Sequence, residues 1–389
     1  MAHWQNWSGR LTAQPQALHF IRSEDDAAAL CRQIATDGQS LRTAGATHSH
    51  APLVQHDGVI ADCRGLSGVI ETNQEQQTAW VWGGSRIYSL GEPLRLAGLG
   101  LPNQGDIDEQ AIAGATATGT HGTGQKLRNL SAAVVGMTLA TAAGELQTHT
   151  LDSNIGRAAR LHLGAFGIVT RLQLKLREAY ALAERSWQVT LDEVLSDAAT
   201  QIQANRHFEF FWYPQADQAQ AKTLNETDPD NIQHPVAAEG QRVAWSYEVL
   251  PNHRPHKHTE MEYSVPADRS VECMQAIRSL LQKDFPDVAW PVEFRTLAAD
   301  DVWLSTAYAQ PTVTISVHED VRNDESRYYK ACEEIFLGFG GRPHWGKVHY
   351  LNGSQLAARH PRWEDWWQAR DSIDPQGIFL NQFLRSIRP

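Results

Sequence analysis

Short apolar runs of strand length fill the first half of the chain, and helical spacing interrupts them only twice. Residues 17–21 predict a strand, and Ser23 followed by Glu24, Asp25 and Asp26 supplies a capping residue and first-turn acids for a helix to about residue 35. Residues 39–44 return as a strand, so the chain opens β-α-β, and the next loop lies where ligand-binding loops of α/β units sit. Strands follow at 59–63 and 78–82, the second alternating as a half-buried strand and ending at Gly83-Gly84. Residues 87–97 carry helical spacing and stop at Gly98. Residues 134–139, 146–150 and 168–176 read as strands, the first two joined through Ala143-Gly144 as a hairpin. Many short strands and few long helices predict an α+β domain.

Past Glu178 the strands lengthen. Alternating runs at 186–191 and 208–213 precede a polar insertion at 216–240, further strands at 261–265 and 313–318, a helix at about 324–336 and a loop at 338–347. A helix carrying Trp363, Trp366 and Trp367 follows, then a turn at Asp374-Pro375-Gln376-Gly377. The 389 residues exceed the roughly 250–300 that one core usually serves, so two domains are expected.

Composition narrows the partners. Hydrophobic residues at 42% and charged residues at 20% describe a globular chain without a disordered tract. A net charge of -11 argues against nucleic acid, which requires clustered Lys and Arg. The polar, aromatic start lacks the basic patch and apolar run of a secretory signal, and no stretch reaches the roughly 20 apolar residues of a membrane span. Cys31, Cys63, Cys273 and Cys332 are scattered, which suits buried free thiols in a reducing cytoplasm.

Two runs of small residues, hydroxyls and single histidines carry the candidate chemistry: residues 42–49 and residues 105–124. Gly114, Gly119, Gly122 and Gly124 allow backbone amides to approach a large anionic ligand, with Thr118, Thr120 and Thr123 as hydroxyl donors. A flexible surface loop is the alternative, against which stands the absence of charge between Glu109 and Lys126. His48 follows a strand directly; a neutral imidazole there could bond a flavin ring covalently or merely hydrogen-bond. No Gly-x-Gly-x-x-Gly follows a strand, which disfavours a Rossmann-type nicotinamide site. The run from His253 to His258 invites a metal, yet Pro255 breaks any helix and no cysteine or carboxylate pair completes a set, so no metal is expected. Glu293 and Arg295 would share one face of a strand. If that strand meets the one ending at His318 and the loop holding His344 and Lys347, they surround a polyhydroxylated substrate; otherwise they form surface ion pairs.

Seven ordered anchors complete the picture: Gly45-Ala46-Thr47-His48-Ser49; Gly105-Asp106-Ile107-Asp108 through Gly119-Thr120-His121-Gly122-Thr123-Gly124; Gly164-Ala165-Phe166-Gly167-Ile168-Val169-Thr170; Glu260-Met261-Glu262-Tyr263; Glu293-Phe294-Arg295; His344-Trp345-Gly346-Lys347; and Phe379-Leu380-Asn381. With them the chain resembles the sugar-1,4-lactone oxidases and alditol oxidases of the vanillyl-alcohol-oxidase (PCMH) type flavoproteins. The resemblance implies an α+β fold with an FAD-binding domain over 1–178, a cap domain with a large antiparallel sheet over 179–350, and a segment over 351–389 returning to the first domain, with Asn381 near the cofactor. It implies FAD, bonded covalently through His48. Gly45, Ala46, Thr47 and Ser49, with Gly114, Thr118, Gly119, His121, Gly122 and Gly124, would line the pyrophosphate and ribityl chain, and the loop containing Ile168 the adenosine side.

The same resemblance puts Glu293, Arg295, His318 and Lys347 around the reacting carbon, with Glu260 and Glu293 bonding substrate hydroxyls. Lys347 or Arg295 would stabilise negative charge on reduced flavin, and His318 or Lys347 would take the hydroxyl proton. The implied activity is oxidation of an alcohol of a polyol or sugar lactone by hydride transfer to flavin N5, with electrons passed to O2 or another acceptor. His50 and Asp320 depart from the expected apolar and neutral residues. Two rivals are the same fold acting on an amine or aromatic alcohol, and a flavin-free carbohydrate-binding protein that stacks sugars on its tryptophans.

Overall fold

The computed structural model describes residues 2–389. Three sheets carry the architecture. The β-α-β opening forms a three-stranded parallel sheet in the order Ala17–Phe20, Val59–Asp62, Leu41–Ala44, with the helix Glu24–Thr36 packed on it. Ser23 caps that helix by accepting from the amide of Asp26. A five-stranded antiparallel sheet follows in the order Leu146–Thr150, Val134–Ala140, Ile168–Lys175, Thr78–Trp82, Val69–Asn73.

The third sheet has eight antiparallel strands, ordered Val243–Trp245, Ala181–Thr190, Gln218–Thr227, His207–Tyr213, Val292–Leu297, Thr312–Asp320, His258–Pro266, Arg342–Pro343. Its two faces differ because the strands alternate. Phe208, Phe210, Trp212, Met261, Tyr263, Val265, Phe294, Ile315 and Val317 pack in one apolar core with the helices Leu191–Ala204, Ser270–Asp284 and Ser326–Gly338. Glu209, Glu260, Glu262, Glu293, Arg295, Ser316 and His318 occupy the opposite face and are buried as well. Buried charge of that density is tolerated only where it is paired.

Part of the expected 216–240 insertion is structural. Gln218–Thr227 is an interior strand of the large sheet, held between Ala181–Thr190 and His207–Tyr213. Its inward apolar residues are mostly small, Ala219 and Ala221 among them, so the run reads as polar in sequence. The glycine-rich run is likewise not a loop throughout: Ile112–Thr118 is a buried short helix closed by Gly119 at φ 78. After Leu351 the chain rejoins the core of the five-stranded sheet, where Trp363, Trp366, Leu380 and Leu384 pack with Phe166 and Leu161. Among the described residues no helix is long and apolar enough to cross a membrane.

Candidate active site

Two regions of chemical interest meet at one loop contact. The first is a cleft partly open to solvent, lined by Gly45, Ala46, Thr47, His48 and Ser49 on one wall and by Gly83, Gly84, Gly114 and Thr118 on another. The walls are bare backbone for identifiable reasons. A side chain at Gly84 would strike the carbonyl of Cys63 at 1.9 Å, and one at Gly83 that of Val169 at 2.4 Å. At Gly114 a side chain would meet nothing within 4 Å, so the missing group leaves room in the cavity itself. Arg42 also lines the cavity, but its guanidinium is consumed by main-chain carbonyls. A lining of glycine and alanine backbone with threonine side chains is the kind of wall that receives a pyrophosphate. This lining fits a dinucleotide such as FAD.

Thr47 holds a left-handed backbone at φ 61 immediately before His48, a conformation that costs a non-glycine residue energy and persists where surrounding contacts impose it. The contacts are present: the Trp7 amide donates to the Thr47 carbonyl at 2.8 Å and Asn6 donates to the Ser49 carbonyl at 3.0 Å. The Trp7 ring stacks on His48 with centroids 5.5 Å apart. Burial, with Arg86 and Lys347 adding to it, holds the His48 imidazolium down to about 4, so the ring is neutral at pH 7.

The second region is the charged face of the large sheet. The register pairs Glu260 with His318 and both Glu262 and Glu293 with Ser316. Glu260 accepts from the Lys347 ammonium, and His318 Nε2 and His258 Nε2 each lie 3.7 Å from its carboxylate. Burial acts to raise Glu260, but Lys347, His318 and His258 together hold it well below the usual carboxylate range. Arg295 reaches Glu293 at 2.8 Å and Glu262 at 3.1 Å; Glu262 is also met by His121 at 2.8 Å and Ser316 at 2.8 Å. The same layer continues through Lys222 to Glu209 at 2.5 Å and Arg254 to Asp106 at 2.7 Å. Five carboxylates, Asp106, Glu209, Glu260, Glu262 and Glu293, therefore face four cations, Lys222, Arg254, Arg295 and Lys347. Burial pushes Glu293 up to about 8, opposed by Arg295 and reinforced by Glu209 and Asp106, and its Oε1 has no partner. Glu293 thus carries the proton that balances the face.

The two regions join where the His50 amide donates to the Gly346 carbonyl at 2.7 Å, placing the loop of Lys347 against that of His48. Of the residues singled out in sequence, Glu260, Glu293, Arg295, His318 and Lys347 converge on the charged face. Gly45, Ala46, Thr47, His48, Ser49, Gly114 and Thr118 line the cavity; Gly119, His121, Gly122, Gly124, Ile168 and Asn381 do not. His121 instead binds Glu262, and the Gly124 amide donates to Thr296 at 2.9 Å. Asn381 pins the loop beside the cavity by donating to the carbonyls of Pro52 and Gln55. Asp320 sits at the end of its strand, paired outward with Arg322 at 2.7 Å. Glu262 was missed although it lies two residues from Glu260 in a buried strand, where alternation puts both on one face. Trp345, Trp363, Trp366 and Trp367 are buried, so they offer no stacking platform for a sugar.

Comparison with known proteins gives a consistent result. Residues 172–243 and 233–387 match the family described as D-arabinono-1,4-lactone oxidase, and residues 15–150 match the FAD binding domain. The chain is 33% identical to the L-gulono-1,4-lactone dehydrogenase of Mycobacterium tuberculosis, over 99% of this chain and 98% of that protein. It is 28% identical to the alditol oxidase of a Streptomyces species, over 98% of each. A solvent-stable cholesterol oxidase superposes with a TM-score of 0.88 at 16% identity, covering 99% of this chain and 97% of that one, which establishes a shared fold.

Proposed function

The chain belongs to the D-arabinono-1,4-lactone oxidase family, an FAD-dependent oxidoreductase family, and from that premise we propose that it oxidises an alcohol group of an aldono-1,4-lactone or an alditol. The observation that carries the reading is the convergence of Glu260, Glu293, Arg295, His318 and Lys347 on one buried face beside the loop of His48. A face of paired charges with one protonated carboxyl offers donors and acceptors together, which suits several hydroxyls and ill suits an aromatic amine. Bound FAD supplies the two-electron acceptor at its N5 atom.

Glu260 and the neutral Glu293 bond substrate hydroxyls in this account. His318 is the better candidate for the proton. Its Nδ1 donates to the Pro291 carbonyl at 2.8 Å, and burial holds the imidazolium down to about 4, so Nε2 is left with a free lone pair beside Glu260. Glu260, 3.7 Å away, stabilises the imidazolium that forms. Lys347 and Arg295 place positive charge where negative charge develops. His48, neutral and clamped by Trp7, is proposed to tether the flavin by a covalent bond from its ring to the dimethylbenzene edge.

The unit over 1–178 would hold the cofactor, that over 179–350 would face the substrate, and residues 351–389 would return to the first. The four buried free thiols suit a reducing compartment, and we place the protein in the cytoplasm, with O2 or another oxidant as final acceptor. Anaerobic mixing with an aldono-1,4-lactone, an alditol and an aromatic amine tests the reading. Bleaching of the flavin by one of the first two is expected; bleaching by the amine alone overturns it.

A further inference from the structure

We propose that His50, His258 and Glu260 form a binding site for a divalent transition-metal ion of the zinc class, with water completing its coordination. One donor atom from each of His50, His258 and Glu260 lies within 4.8 Å of the others. A tetrahedral zinc site with ligands at about 2.0–2.1 Å leaves its donors roughly 3.3 Å apart, so the three donors must draw together by side-chain rotation to hold an ion. Two imidazoles and one carboxylate select zinc-like ions over calcium or magnesium, which prefer oxygen.

The His258 ring is already held as a metal ligand is. Its Nδ1 faces the His256 carbonyl at 3.0 Å, which turns Nε2 toward Glu260. His258 is wedged between Trp7 and Trp290, with centroids 5.3 Å and 5.2 Å away. His50, 8% exposed, carries an Nδ1 with no hydrogen-bond partner. The neighbouring group of His121, Glu262 and His344 lacks this freedom. Glu262 there already accepts from His121, Arg295 and Ser316, and His344 Nδ1 accepts from the Gly346 amide at 3.1 Å.

Lys347 is the competitor, since its ammonium occupies Glu260. Its side chain is 23% exposed and can swing to solvent, so a metal ion displaces it at a cost in affinity. An ion on Glu260 also excludes a substrate hydroxyl from that carboxylate, a consequence that rests on the oxidation reading above; the binding itself does not.

Calorimetric titration of the purified holoprotein with ZnCl2, in a non-chelating buffer, tests the site. One ion per chain is expected, with His50→Ala and His258→Ala each weakening binding at least tenfold and Lys347→Met tightening it at least tenfold. A gain in affinity cannot arise from misfolding. No saturable binding to the unaltered chain, or Lys347→Met binding no tighter, overturns the proposal. Because no substrate is present, failure here leaves the oxidation reading intact. Zinc should also slow flavin bleaching by an aldono-1,4-lactone; stoichiometric binding without slowing overturns the exclusion.

Discussion

Arg42 donates to the carbonyl of Phe379, 337 residues further along the chain, at 2.5 Å. The same buried guanidinium donates to Leu53 at 2.6 Å, Gly164 at 2.7 Å and Leu163 at 2.6 Å. One side chain thus ties the cavity's first loop, the Leu163-Gly164 turn and the returning C-terminal segment. Arg42→Met would leave these buried acceptors unpaired, at about 3–5 kcal/mol. The urea midpoint should fall accordingly with an unchanged m-value; a midpoint within error of the unaltered protein refutes the clamp.

His48 is placed for a bond rather than a simple contact, neutral and stacked on Trp7. Acid precipitation should leave the yellow colour in the pellet, and His48→Ala should move it to the supernatant. Colour in the supernatant from the unaltered protein removes the bond.

His349 and His360 pack on Trp345 with neither ring nitrogen partnered. Burial lowers His349 to about 4 and His360 to about 3, below the unfolded value near 6.5. Each therefore contributes stability that is complete above pH 6.5 and lost as pH falls through the folded value, at about 1.4 kcal/mol per pH unit. Urea unfolding at pH 7, 6 and 5 should show a steep loss that is shallower in His349→Phe. Equal slopes would sink this account.

Legibility in the sequence followed the range of the interaction. Glu293 and Arg295 were readable because strand alternation is local. The cap at Ser23 and the hairpin at 140–146 were readable for the same reason. The helix Ile112–Thr118, built from Ala, Gly and Thr, has no periodic apolar stripe and is helical because it is buried. Pairs such as His121 with Glu262, 141 residues apart, and Lys347 with Glu260, 87 apart, follow from topology and leave no periodic trace.

Glu293 titrates in the opposite sense to the histidines. Its folded value of about 8 lies above the unfolded 4.5, so its contribution is complete below pH 4.5 and lost as pH rises through 8. Between pH 6.5 and 8, where the two histidines contribute fully, the melting temperature should decline, and Glu293→Gln, permanently neutral, should decline less. Parallel curves for the two proteins would place the proton elsewhere on the face.

Lys347 bears on both charge and position. Its ammonium rests on Glu260, at the junction of the charged face with the loop of His48. Lys347→Met removes a positive charge from the site where negative charge develops and frees a buried carboxylate, while leaving the cavity lining intact. Flavin should therefore stay bound, and its reduction at saturating substrate should slow at least about a hundredfold, near 2.7 kcal/mol in the barrier. Lys347→Arg restores the charge but not the point contact, so partial recovery separates electrostatics from proton transfer. If His318 takes the proton, His318→Gln slows reduction at every pH, whereas Lys347→Arg keeps the pH profile of the unaltered protein. Reduction of the Lys347→Met protein at the unaltered rate would remove Lys347 from the chemistry.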